Sequence, residues 1–331
     1  MTDVEWHDWR QGGIGGSDIA ALAGLSRYAS PTSLYYEKLG LLDRSETTPR
    51  QRIGQRMEGV LAEEFHDATG LHLTGEQTWC EHPNHEWARC TVDGFASDWA
   101  TDPATGGDLE ALLGTVQLKT DGRFAWPDGI PANIRAQCIW EMGVTGLRHC
   151  WLVVMFAGFR VEVFELDWDF DVAADWDYMF KTARAFWHDH VLAGVPPPVD
   201  DSQATTDALG DVHAPTGALL EANDAGCRLV AEFLEARWLV KSAQIVESRL
   251  GNELRAALGE HTDLVDGWTD TRRGPKANVI ASWRPEQRRR VDLDALRAAE
   301  PMLVERCTKT TTTRVLRVPS PKENDADNDG P

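Results

Sequence analysis

Val116-Gln117-Leu118-Lys119-Thr120 decides the fold, read together with Asp93-Gly94 upstream. The first stretch reads as a strand. Gln117 and Lys119 are two residues apart and point to one face, while Leu118 points to the other, into packing. A lysine on a buried strand is costly and needs an anionic partner, such as a phosphate or a metal-bound hydroxide. The alternative is an edge strand with its lysine in solvent. Asp93 follows Cys90-Thr91-Val92 and precedes Gly94. It reads either as an ordinary Asp-Gly turn or as a strand-end carboxylate of the kind a hard cation needs.

Other polar positions extend this pattern. Residues 54, 58, 61, 65 and 68 share one face of a predicted helix over 52–69, closed by Gly70. Glu58 is therefore in line with Leu61 and Phe65. It either faces the core, where a charge must be paired or bind metal, or sits at the stripe's edge and reaches water. Glu63 and Glu64 lie off the stripe as solvated charges. Gln137 and Glu141 are four apart on a helix over 134–142, and Glu141 reads as part of a solvated polar stripe. Gly12-Gly13-Ile14-Gly15-Gly16-Ser17 lacks the G-K-[ST] ending of an NTP-binding loop. Such a loop running into a helix can still bind a lone phosphate through backbone N–H groups. Cys80, His82, His85 and Cys90 match no common zinc module.

Composition sets limits. A chain of 331 residues suits one large domain or a core with an appendage. The net charge of −20 argues against a protein that coats nucleic acid without specificity. Residues 271–317, however, hold twelve Lys or Arg against five Asp or Glu, a local +7 that could face DNA. The six cysteines include no C-x-x-C, and no signal peptide is evident, which fits a reduced cytoplasmic setting. The apolar run 150–156 is too short to span a bilayer and reads as a buried strand.

The organisation expected is a mixed α/β block over 1–195, a linker over 196–216, a helical and small-β module over 217–318, and a disordered acidic tail over 319–331. Within the first block, a helix starts at Ser17-Asp18, a second spans Pro31 to Leu39, and strands fall at 89–97, 114–120, 150–156 and 160–166. A closing helix covers 175–192. The second module reads as a long helix over 217–258, a strand pair near 262–283, a helix at 292–299 and a last strand at 313–318.

In this order the residues resemble a known family. Arg10-x-x-x-Ile14-Gly15-Gly16-Ser17-Asp18, Gly54-x-x-x-Glu58, Glu81-His82-Pro83 leading to Val92-Asp93-Gly94, Val116-Gln117-Leu118-Lys119-Thr120, and Ala136-Gln137 with Val144-Thr145-Gly146 are similar to the YqaJ-type viral recombinase nucleases. These are relatives of the phage lambda exonuclease. The resemblance covers about residues 6–190 and rests on the ordered set, with no single motif specific. It extends more loosely to the C-terminal part.

The resemblance implies a PD-(D/E)XK restriction-endonuclease-like core, a mixed central sheet flanked by helices, with a C-terminal appendage of a long helix and small β structure. It implies Mg²⁺ (or Mn²⁺) held by Asp93 and Gln117, with Glu58 helping. Lys119 would assist the attacking water, and Gln137 would support the site or the substrate strand. Arg10 and Ser17 would grip a 5′-terminal phosphate. The implied activity is 5′→3′ degradation of double-stranded DNA ends, leaving 3′ overhangs for a single-strand annealing protein. The implied assembly is a ring of copies, in the cytoplasm of a host if the chain is phage-encoded, with no membrane.

One position departs from the pattern. The family usually carries Glu or Asp where this chain has Gln117. An amide oxygen can ligate Mg²⁺ but brings no charge. Glu110, seven residues earlier, is one substitute. The departure also gives weight to a rival reading, a catalytically inactive DNA-end-binding or recombination scaffold of the same fold. A related nuclease type carrying an iron–sulfur cluster is disfavoured, because it would need four grouped cysteines.

Overall fold

The computed structural model describes residues 8–42, 48–98, 112–271, 274–310 and 316–318. The chain divides into two compact units, Met1–Pro215 and Thr216–Pro331.

In the first unit, α1 (Gly16–Leu22) and α2 (Pro31–Lys38) precede the long α3 (Pro49–Thr69). Thr48 caps α3 by accepting from the Gln51 N–H, with Pro49 in the first turn. Gly70 ends it in the left-handed region at φ 74°, which costs a glycine no steric strain. Then come β1 (His72–Thr74), β2 (Thr78–His82), β3 (His85–Val92), β4 (Gly94–Ser97) and β5 (Leu112–Asp121). After α4 (Ala132–Thr145), β6 (His149–Phe156) and β7 (Arg160–Asp167) complete the strands of this unit, followed by α5 (Phe170–Ala185) and a π-helical turn, Phe186–Leu192.

The main sheet runs β1-β4-β5-β6-β7. β1, β4 and β5 are antiparallel neighbours, β5 and β6 are parallel, and β7 returns antiparallel. A parallel neighbour needs a crossover, and α4 supplies it. The succession of α3, antiparallel strands, a crossover helix and a parallel strand gives the mixed central sheet flanked by helices that was expected.

Strand alternation sorts the two faces. Val116, Leu118, Trp151, Val153 and Met155 pack with Leu61 and Phe65 of α3. Burying each of those two α3 side chains contributes roughly 1.5–3 kcal/mol. Cys150, Leu152, Val154 and Phe156 pack on the other face with Cys138, Ile139, Trp140 and Met142 of α4. Gln117 and Lys119 therefore belong to the α4 face.

The expected strand over 89–97 is broken at Asp93. β3 pairs with β2 in a separate two-stranded sheet, whereas β4 joins the main sheet. The first helix also starts earlier than expected. Gly15, not Ser17, is its N-cap residue, and Asp18 accepts from the Gly15 N–H at 2.9 Å. The expected linker, 196–216, is a correction: it contains α6 (Gln203–Val212). Thr205 and Ala208 are buried there, and the Thr205 hydroxyl donates to Ser30 Oγ at 2.8 Å. The stretch read as spacer because its residues are mostly small and polar, yet Leu209 and Val212 pack with Ala208 on the core.

The second unit holds α7 (Asp224–Leu258), the antiparallel pair β8 (Asp263–Thr271) and β9 (Gly274–Ser282), then α8 (Leu293–Ala299) and α9 (Pro301–Cys307). The long helix starts at 224 rather than 217 because Asn223 caps it, accepting from the Gly226 N–H at 2.8 Å. The short α9 was not expected. Of the expected strand at 313–318, residues 313–315 lie outside the described residues, and 316–318 have no regular structure. The tail 319–331 and Glu110 also lie outside them. No helix among the described residues is long and apolar enough to cross a membrane.

Candidate active site

Asp93 occupies the break between β3 and β4. Its Oδ2 accepts from the Leu118 N–H at 2.8 Å, which fixes the carboxylate on β5 between Gln117 and Lys119. Gly94 follows because the chain passes close to Leu73; a Cβ there would lie 2.5 Å from Leu73 Cδ1.

Gln77 ties Asp93 to α3. Its Nε2 donates to Glu58 Oε2 at 3.3 Å and to Asp93 Oδ1 at 3.4 Å. Its N–H meets the Asp93 carbonyl, and its φ of 53° is left-handed. A residue held there without being glycine is constrained by its surroundings. Sequence reasoning missed Gln77, since nothing in Gly75-Glu76-Gln77 distinguishes it from an ordinary turn. Glu58 is half-buried; burial, and next the charge of Asp93, raise its carboxyl above the usual value. Lys119 opposes that rise, which places it near the same carboxylates.

The α4 side differs from expectation. Glu141 is not a solvated stripe residue but is fully buried. Its Oε1 accepts from Gln137 Nε2 at 3.0 Å, while its Oε2 has no hydrogen-bond partner among the described residues. Gly16 of α1 makes the room: a Cβ there would come within 3.2 Å of Glu141 Oε1 and 3.1 Å of Gln137 Cγ. Burial, and next the charge of Asp93, push the Glu141 carboxyl well above the ordinary range, against the pull of Lys119. Gln117 is equally buried, and neither its oxygen nor its nitrogen has a partner among the described residues.

A cavity of about 130 Å³ opens between α1, β3 and α4. Its walls include Arg10, Ser17, Gln77, Asp93, Gln137 and Glu141. Arg10 Nη2 donates to Ser17 Oγ at 2.8 Å and to Asp18 Oδ1 at 2.6 Å. Lys38 Nζ holds the other oxygen of Asp18 at 2.7 Å. Burial works against the charge on Asp18, but Arg10 and Lys38 outweigh it and hold the carboxyl well below the usual range. Burial depresses the Lys38 ammonium, and Asp18 works to keep it charged. The Gly12–Gly16 loop is glycine-rich because it lies against β3. A Cβ on Gly13 would sit 2.4 Å from the Trp87 carbonyl, and Ile14 bonds to both Trp87 and Arg89. Cys80 faces Cys90 across β2 and β3, while His82 and His85 pack on Phe180. Cys80, Cys90, Cys138, Cys150, Cys227 and Cys307 are free thiols.

Glu58, Asp93, Gln117 and Lys119 thus converge at one end of the sheet, from α3, the β3–β4 break and β5. Gln137 and Glu141 border the same cavity as Asp93, and Arg10 and Ser17 also line it. No three His, Cys, Asp or Glu side chains among the described residues form a complete ligand group. A Mg²⁺ ion does not need one, because it commonly takes one or two carboxylates and completes its shell with water and substrate phosphate. The unpartnered oxygens of Gln117 and Glu141 fit that demand.

Residues 5–148 match the YqaJ-like viral recombinase domain. A Bacillus subtilis (strain 168) protein named "Uncharacterized protein YqaJ" is 24% identical over 323 residues, covering 95% of this chain and 93% of that one. Among solved structures, the alkaline exonuclease LHK-Exo from Laribacter hongkongensis aligns with a TM-score of 0.44 and 17% identity, over 58% of this chain and 94% of that one. A phage-related exonuclease from Haemophilus somnus aligns at 0.39 and 9%, over 57% and 99%. Residues 5–148 are thus similar to the YqaJ-like viral recombinase domain, and the candidate site residues from Arg10 to Glu141 all lie within that stretch.

Proposed function

We propose that this chain is a divalent-metal-dependent deoxyribonuclease that degrades double-stranded DNA from its ends in the 5′→3′ direction, leaving 3′ overhangs for a single-strand annealing protein. The observation that carries the reading is the Asp93 carboxylate clamped to the Leu118 N–H, with Lys119 beside it and Glu58 reached through Gln77. The family of the domain supports it.

Asp93, Gln117 and Glu58 would hold Mg²⁺ (or Mn²⁺ in its place). When bound, the ion polarises the scissile phosphate and lowers the pKa of water. The chain's own groups do the rest. Lys119 orients the water and offsets charge gathering on the phosphate oxygens. Gln137 borders the cavity where the substrate strand would run. Arg10 and Ser17, already bonded to each other, present a guanidinium and a hydroxyl suited to a terminal phosphate. Asp18 and Lys38 keep Arg10 in that orientation. With a net charge of −20, productive DNA binding depends on such local cations. A ring of copies around DNA belongs to the same reading by resemblance alone.

The test is nucleotide release from 5′-phosphorylated linear duplex with Mg²⁺. Wild type should release nucleotides, and Asp93→Ala and Lys119→Ala should each lose roughly 100-fold or more. A shifted DNA band with no release, unchanged by Lys119→Ala, would establish the inactive end-binder instead. Dephosphorylated ends should react more slowly; equal rates on both ends would remove the phosphate role of Arg10 and Ser17.

A further inference from the structure

Gln117 poses a physical problem that the nuclease reading leaves open. A neutral amide stands next to the point where Asp93 meets β5, fully buried, with both polar atoms lacking partners among the described residues. Leaving a buried polar group unpaired costs about 1–3 kcal/mol. On the same face of the sheet, α4 buries a second polar group with the complementary lack. Glu141 is fully buried, one of its oxygens is bonded only to Gln137, and the other is bonded to nothing among the described residues. A carboxylate taken out of water needs a cation or a full set of donors. It has one donor, and it lines the same cavity as Asp93.

We propose that Glu141 is an anionic ligand of the divalent-cation site, standing in from α4 for the carboxylate that position 117 lacks on β5. The site would then draw charge from Asp93 and Glu141, with Glu58 helping from α3 and the Gln117 Oε1 as a neutral oxygen. Carboxylates and an amide oxygen form the hard-oxygen set that Mg²⁺ or Mn²⁺ prefers. Gly16 is part of the arrangement, because any side chain there would press on Glu141 and Gln137. Gln137, donating to Glu141 Oε1, becomes the residue that positions this ligand. Glu141 thereby takes the substitute role considered for Glu110.

The inference rests on the metal-dependent reading above, and the experiment separates the two. Mn²⁺ binding to the full chain without DNA is measured by electron paramagnetic resonance titration, with circular dichroism as the fold control. Wild type should bind. Glu141→Gln, which keeps shape and removes charge, should bind roughly tenfold more weakly or worse, as removing even an indirect metal partner does. Exchanging the two groups in Gln117→Glu/Glu141→Gln should restore binding, which a merely structural role for Glu141 would not do. If Glu141→Gln fails to fold, the exchanged variant decides alone: restored Mn²⁺ binding supports the inference and none overturns it. Wild-type affinity in Glu141→Gln, alongside loss in Asp93→Asn, overturns the role of Glu141 and leaves the nuclease reading standing. If wild type neither binds Mn²⁺ nor releases nucleotides, both fall together.

Discussion

Asp18 shares its two oxygens between Arg10 and Lys38, at 2.6 and 2.7 Å, and is only 3% exposed. Removing one partner from a buried ion pair leaves the other charged and unsolvated. Asp18→Asn should therefore lower stability by about 3–5 kcal/mol. The pH dependence follows from the sign of the shift. The folded carboxyl lies below its ordinary value of 3.8. Between the two values the unfolded chain binds the proton and the folded chain does not, so stability rises with pH there. The contribution is complete above 3.8 and fades as pH falls through it. Chemical denaturation followed from about pH 5 down to about pH 2, into the window below the ordinary carboxyl value, should show wild type losing an increment that Asp18→Asn never had. Parallel curves would remove Asp18 as its source. A second substitution acts on the reaction: Gln117→Glu should lower the Mg²⁺ concentration needed for nucleotide release, and an unchanged requirement would count against ligation by residue 117. At this scale the sequence was partly legible. Strand alternation and helical spacing assigned faces to Lys119, Gln117 and Glu58, but only the ordered set of motifs grouped them with Asp93. Glu141 was misjudged because an i,i+4 polar pair looks the same whether solvent or a glycine-edged helix lies over it. Lys38 and Gln77 gave no signal, since their partners are remote in the chain.

Among elements, the Gly12–Gly16 loop and β3 show how a close approach sets the site. Ile14 bridges to β3 through the Trp87 carbonyl and the Arg89 N–H, at 2.6 and 2.9 Å. Gly13 has no room for a methyl group against backbone. Gly13→Ala should push the loop off β3 at a cost of about 1–3 kcal/mol, seen as a fall in Tm of roughly 2–8 °C. Arg10 and Ser17 flank this loop, so preference for 5′-phosphorylated ends should weaken in the same variant. An unchanged preference would mean that the loop does not set their position. The helix α3 was readable because an apolar stripe and a terminal glycine agree there. The break at Asp93 was not. The run from Arg89 to Ser97 is continuously strand-like, and only a bond from Asp93 to Leu118, twenty-five residues away, reveals the corner.

At the scale of the molecule, charge and function are divided unevenly along the chain. Every site residue precedes Pro215, whereas the +7 stretch over 271–317 follows it. Residues 214–223 have no helix or strand and are exposed throughout. Exposed irregular backbone is where proteases cut first. A Glu-specific protease should cleave after Glu221, leaving a fragment that retains Arg10 to Glu141. If the basic stretch neutralises DNA phosphates, that fragment should keep kcat within a few-fold of the intact chain while KM for duplex DNA rises. Its binding should also depend less steeply on salt, because each phosphate it no longer neutralises takes about 0.9 off the slope of log K against log salt concentration. Unchanged KM and salt slope would assign the second unit a role other than holding DNA. Loss of kcat as well would mean that the site needs the second unit to operate.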